Sequence, residues 1–447
     1  MSLQPSRKRG QAGLRRVQET ALALALVLAF WALLSATPAF RSVTTRPMDD
    51  SGDVTAAVER LGNPFTGRYP GDANIYPRNV WDMQLFEGRI YLGSGNSANS
   101  GPAANAGPVD VWAFDLHTDQ FVNEYTVAEE QLDVYRILNG RLVIPGRDPR
   151  ESWDFGNFYR READGWHKYR TLPNTIHTYD MLQVGARLFA SINPSDNAGG
   201  VAISDDDGQT WTRVPVGRGA AFGLFTLGDH LFAAKSIPTD PTLNSVAPAD
   251  QAGLMGVHEY QSDGQFQPRP DLTFGVLFPG ISQGQAWEHW GQMVRYVNFQ
   301  GKLVYIGGET LHQVIPFGLF VLDPAGHVQR VSLPAGALPW DTLVRDDTLY
   351  VLLAAKQPSG GYAVSVIATS DLVAWRELFH FQSATFARSF EMDQGDFYFG
   401  LGTGVGPSYD PRTWEMSPAA GDILRVARGA YTPAERGYTV YLPLLES

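Results

Sequence analysis

The chain has 447 residues, with 46 Gly, 29 Pro, 12% aromatic and only 18% charged residues, a formal charge of −12 and no cysteine. This length exceeds one ordinary core, so the chain holds either several domains or one architecture that grows by repetition. The acidic balance makes nucleic acid and anionic lipid poor partners, and the lack of cysteine excludes disulfides, thiolate nucleophiles and Cys-ligated zinc.

The first 39 residues differ from the rest. Arg7, Lys8, Arg9, Arg15 and Arg16 precede the apolar run ALALALVLAFWALLSA (21–36), which is followed by Pro38 and Ala39. This is the layout of an export signal. The run is short for a relaxed bilayer span of about 20 residues, which favours a cleaved signal peptide over an anchor. The expectation is a secreted or cell-envelope-associated bacterial protein that touches a membrane only through an uncleaved signal. Its charge after cleavage is −16, because residues 1–39 carry five basic residues and Glu19. Residues 40–74 form an N-terminal extension.

From residue 75 to 430 a motif of period-two apolar residues around a Gly, Asp or Asn turn recurs seven times, at 80–93, 132–146, 177–191, 220–234, 291–307, 340–353 and 388–402. Each copy predicts a β-hairpin. Between the turn positions Gly88, Gly140, Ala186, Asp229, Gly301, Asp347 and Gly395 the spacings are 52, 46, 43, 72, 46 and 48 residues. Such a period is the size of one four-stranded propeller blade. The interval of 72 contains two polar or glycine-rich stretches, 237–256 and 273–290, read as insertions. A second strand pair follows most hairpins. The fold class is therefore all-β, a seven-bladed β-propeller of four-stranded antiparallel blades. Only GDILRVAR (421–428) is visible as the later part of the seventh blade. Residues 53–61 or the tail 437–445 must close it. The N-terminal segment is preferred, because joining both chain ends in one blade removes an open sheet edge. Residues 431–447 are a C-terminal tail whose VYLPLLES is either a sorting signal or a strand.

The third blade contains SDDDGQTW, in which Ser204, Asp206, Gly208, Thr210 and Trp211 match the Asp-box pattern. Here the chain resembles the Asp-box (BNR-repeat), sialidase-like β-propellers. A degenerate copy, SDLVAW (370–375), sits at the same place in the sixth blade, with fainter ones at 162–168 and 262–266. The box is a folding device: the Asp caps the turn's own backbone, Gly takes the positive φ, and Trp packs between sheets. A calcium loop needs a bidentate Glu at its twelfth position, where Val216 stands instead. No metal and no cofactor are expected. The resemblance implies the fold but does not carry over catalytic residues. Sialidases place their first arginine in a Phe/Tyr-Arg-Ile-Pro motif, whereas this chain has only YPRNV around Arg78.

Long loops fall on one face of such a propeller, and function concentrates there. Trp153, Trp287, Trp290, Tyr409 and Trp414 on those loops are candidates for stacking on sugar rings. The innermost strands give one equivalent column, Asp82, Val134, Asp180, Gly223, Arg295, Asp341 and Ser389. Asp82, Asp180 and Asp341 either are solvated in a hydrated channel or converge on a cation or sugar hydroxyls, with Arg295 as counter-charge. The leading expectation is extracellular binding of carbohydrate or another cell-envelope polymer. A sialidase-like exo-glycoside hydrolase is the alternative, and a scaffold for protein partners the third.

Overall fold

A computed structural model describes residues 52–71, 75–97, 105–196, 200–217, 220–238, 256–281, 290–310, 314–404 and 416–431. The signal segment and the tail from 432 onward lie outside them. Seven antiparallel sheets follow one another along the chain. The first blade runs through Met83–Phe86, Arg89–Leu92, Val109–Asp115 and Gln120–Val127. The next five repeat this order, ending with Ala337–Arg345, Thr348–Lys356, Tyr362–Thr369 and Arg376–Ser383 in the sixth. The chain is a seven-bladed β-propeller.

A blade is covered on both faces by its neighbours, so its middle strands read as continuous buried runs. Gly200–Ser204 is buried at all five positions and Tyr362–Thr369 at seven of eight. The hydrophobic clusters lie between consecutive sheets. Phe189, Val201 and Ile203 of the third blade meet Leu224, Leu231 and Phe266 of the fourth, and the same arrangement recurs between the fifth and sixth.

In the seventh blade Ala387–Asp393, Asp396–Leu401 and Ile423–Val426 are completed by Val58–Gly62, in the order outer strand, third, second, inner. The Arg60 guanidinium forks onto the Asp422 carboxylate at 2.6 and 2.8 Å. Just upstream, the Val54 N–H donates to the His380 carbonyl at 2.9 Å and the Gln382 N–H to Thr55 Oγ1 at 2.9 Å. One short segment thus clips the sixth blade and closes the seventh.

The interval between the fourth and fifth hairpins holds the fourth blade's outer strands, Val257–Tyr260 and Phe266–Pro268, with extra chain on either side of them. Ile237–Pro238 pairs with Trp290 and Gly291 at the start of the fifth blade's inner strand. A single helical turn, Phe274–Leu277, capped by Thr273, buries Phe274 and Leu277 beside that blade. Among the described residues no helix is long and apolar enough to cross a membrane.

A cavity on the propeller axis

The innermost strands enter from the long-loop side, and most of them break register where they reach the axis. The pairing slips between Thr178 and Asp180, between Pro339 and Asp341, and between Ala387 and Ser389. In each case one residue is inserted ahead of the column position. These are Tyr179, Trp340 and Arg388. In the first blade Trp81 and Asp82 together oppose Gly93. In the fifth the slip falls between Val294 and Val297, and Arg295 takes a left-handed φ of +53°. A bulge turns two successive side chains toward the same side, so a second ring of residues joins the column in lining the axis.

The result is a cavity of about 730 Å³ lined by inner-strand residues of all seven blades. At its long-loop end stand Trp81, Asp133, Tyr179, Phe222, Trp340 and Arg388, each one residue ahead of the column. Period-two counting assigns them to the sheet interior and misses them. One signal was available: at three of the seven column positions an aromatic residue directly precedes an Asp, as Trp81-Asp82, Tyr179-Asp180 and Trp340-Asp341.

The column carboxylates hold the ring together. Asp82 accepts from the Tyr135 N–H of the next blade at 2.7 Å, Asp180 from Leu224 at 3.2 Å, and Asp341 from Phe390 at 3.2 Å. In each case the donor is the residue just after the neighbour's own column position. Asp82 and Asp341 also meet Arg295, at 2.5 and 3.6 Å. Asp180 pairs with Arg136 at 2.8 Å. The structure thus brings Asp82, Asp341 and Arg295 into contact and gives Asp180 a different cation. Gly223 leaves room for the Tyr296 ring, which would lie 2.6 Å from a Cβ there. Burial pushes the Asp341 carboxyl up to about 7, against the pull of Arg295 and with the help of nearby Asp82.

The mouth mixes aromatic faces with fixed polar groups. Tyr179 and Phe222 lie tilted at 4.9 Å, with the Arg147 guanidinium 5.1 Å from the Tyr179 ring. Arg147 is paired with Asp133, which also accepts from Gln131. Opposite them, Arg388 lies 4.3 Å from the Trp81 ring and 5.2 Å from Trp340, with Nε donating to Asn79. Its burial lowers its pKa to about 10. Behind Arg147, burial pushes Asp148 up to about 6 and His177 down to about 4.

Trp153 is 51% exposed and stands outside the cavity lining. Trp287, Tyr409 and Trp414 lie outside the described residues, and only the backbone of Trp290, at the head of the fifth blade's inner strand, is described. In the third-blade turn, Asp206 accepts from the Thr210 N–H and hydroxyl at 2.8 and 2.6 Å. Ser204 Oγ donates to Asp206 and accepts from the Gly208 N–H, and Trp211 packs edge-on against Phe158 of the second blade. The five residues act as a turn. Among the described residues no three His, Asp or Glu are placed to hold a metal ion.

No family model and no curated protein matches the chain. Solved structures do. A chain of the "Crystal Structure of Mitotic Checkpoint Complex" aligns over 82% of this chain and 94% of its own at 9% identity, with a TM-score of 0.44. The β-propeller domain of the Trilobed protease from Pyrococcus furiosus, described as having an open velcro topology, aligns over 82% and 97% at 10% identity, with a TM-score of 0.40.

Proposed function

We propose that the protein is an exported β-propeller that binds an extracellular ligand, carbohydrate or another cell-envelope polymer, at the long-loop mouth of its axial cavity. The observation that carries this reading is the mouth itself. The half-buried Tyr179 and Phe222 faces stand beside Arg147, Asp133 and Gln131, whose polar atoms are held in place by one another. Sugar rings offer apolar C–H faces to aromatic residues and hydroxyls to carboxylates and amides, and a concave site of a few hundred Å³ suits them. The Asp206-capped turn, with its Trp211 packed between blades, supports placing the chain near the Asp-box, sialidase-like propellers.

The geometry favours binding over hydrolysis of the sialidase kind. That chemistry gathers three arginines on one substrate carboxylate. Of the five arginines lining the cavity, Arg136, Arg147, Arg295 and Arg345 are each engaged by a carboxylate of the protein, and Arg388 is held against Trp81 and Trp340 with its Nε on Asn79. The test is a glycan array probed with the purified protein, beside a panel of fluorogenic glycosides that includes sialosides. Binding without turnover is expected. Turnover that disappears in Asp82→Asn or Asp341→Asn would replace this reading with a hydrolase.

A further inference from the structure

Arg295 belongs to the fifth blade, yet its guanidinium reaches the first. One terminal nitrogen lies 2.5 Å from Asp82 Oδ1, the other donates to the Trp81 carbonyl, and Nε lies 3.6 Å from Asp341 of the sixth blade. In a ring of seven, the fifth and first blades are three steps apart, the largest separation available. The side chain therefore crosses the axis. Its backbone aims it there from the bulge, at φ +53°, a conformation that a non-glycine residue adopts only when its surroundings hold it. Thr342 of the next blade supplies part of that hold by donating to the Arg295 carbonyl at 2.8 Å. The Arg136–Asp180 pair and Tyr296, laid against Gly223, stand at the same level.

The level of Arg295 separates two groups of lining residues. Asp133, Tyr179 and Phe222 lie on the long-loop side of this level, and Gln84, Asn298 and Arg345 on the short-turn side. We propose that Arg295 is a fixed strut that makes the long-loop chamber a blind pocket, so that a ligand enters by one end and does not thread the ring. The ligand class is then a small saccharide or the terminus of a polymer, rather than an internal segment of one. The ligand part of this inference rests on the binding reading above, whereas the strut does not.

The chain has no cysteine, so two introduced thiols would be its only ones. In the full chain, Ser236→Cys on the long-loop side and Asn298→Cys on the short-turn side are treated with a flexible bismaleimide. With Arg295 in place, each thiol should react with a monofunctional maleimide but no intramolecular cross-link should form. With Arg295→Gly, which suits a left-handed backbone, the cross-link should form through the opened channel. Arg295→Asn serves if the glycine variant does not fold, because Asn also tolerates positive φ. A cross-link formed equally well with Arg295 intact overturns the proposal, whatever the variants do. Array glycans bound through free ends would support the end-on mode, and equal binding of end-blocked glycans would overturn it. An array without binding removes the saccharide reading and leaves the cross-linking result to decide the strut.

Discussion

Asp82 and Asp341 meet one guanidinium from two blades, but they do not hold it alike. Asp82 makes the direct contact with Arg295, and both side chains are largely out of water. Removing the charge of Asp82 leaves Arg295 short of a partner, so Asp82→Asn should cost about 3 kcal/mol, the scale of breaking a buried pair. Asp341 stands farther off, and burial favours its neutral form. Asp341→Asn should cost clearly less in chemical denaturation at pH 5.5. The same burial sets the pH response. Asp341 and Glu129 are pushed up to about 7 and Asp148 to about 6. A raised carboxyl pKa gives stability that is complete below about 4 and is lost as pH rises through the folded value. Three such carboxyls outweigh His177, whose lowered value works the other way between about 4 and 6.5, so the melting temperature should fall between pH 5 and pH 7, and Glu129→Gln should flatten that fall. On the acid side Glu162 is held down to about 2 by its hydrogen bonds to Tyr169 and Arg160, which outweigh its desolvation, so its contribution is lost as pH drops from about 4 toward 2. At this scale the column was legible by counting back from each turn. Trp81, Tyr179 and Trp340 were not, because an inserted residue breaks the period on which the counting rests.

Turns were the most legible elements. In the sixth blade Asp371 accepts from the Val373 and Ala374 N–H groups, as Asp206 does from Thr210, although the loop is one residue shorter. Thr369 takes the place of Ser204, and Leu372, at φ +62°, takes that of Asp207 at +61°. The substitution of Thr for Ser and the loss of the Gly explain why only SDLVAW was visible there. Gly208 is required twice over: its φ is +86°, and a Cβ would lie 2.7 Å from Phe158 of the neighbouring blade. Gly208→Ala should destabilise the protein by about 2 kcal/mol in urea denaturation, the scale of an overpacked core contact. What the sequence did not disclose was the short strand Ile237–Pro238, because two residues carry no periodicity.

For the whole molecule the decisive element is the strand Val58–Gly62. The pattern of VERLG is no stronger than that of the tail, and the fork between Arg60 and Asp422 is a contact over 362 residues that no local pattern encodes. Deleting residues 52–62 should leave Ile423–Val426 as an open edge. The expected outcome is loss of a single cooperative thermal transition in calorimetry, with oligomers visible by light scattering. Seven repeats, by contrast, were countable from spacing alone, because each blade is a local unit whose hairpin and turn are written within about 50 residues.

The proposed ligand site is the long-loop mouth of the axial cavity, and the proposed ligand a saccharide. Isothermal titration of the strongest array glycan into the native protein and into Tyr179→Ala tests this proposal most directly, because Tyr179 faces the cavity without taking part in the Asp82–Arg295–Asp341 contacts. A loss of affinity of about tenfold or more, the scale of removing a stacking aromatic from a site, with a single cooperative melting transition retained, is the predicted result. Equal affinity in the two proteins would contradict it and place the ligand elsewhere.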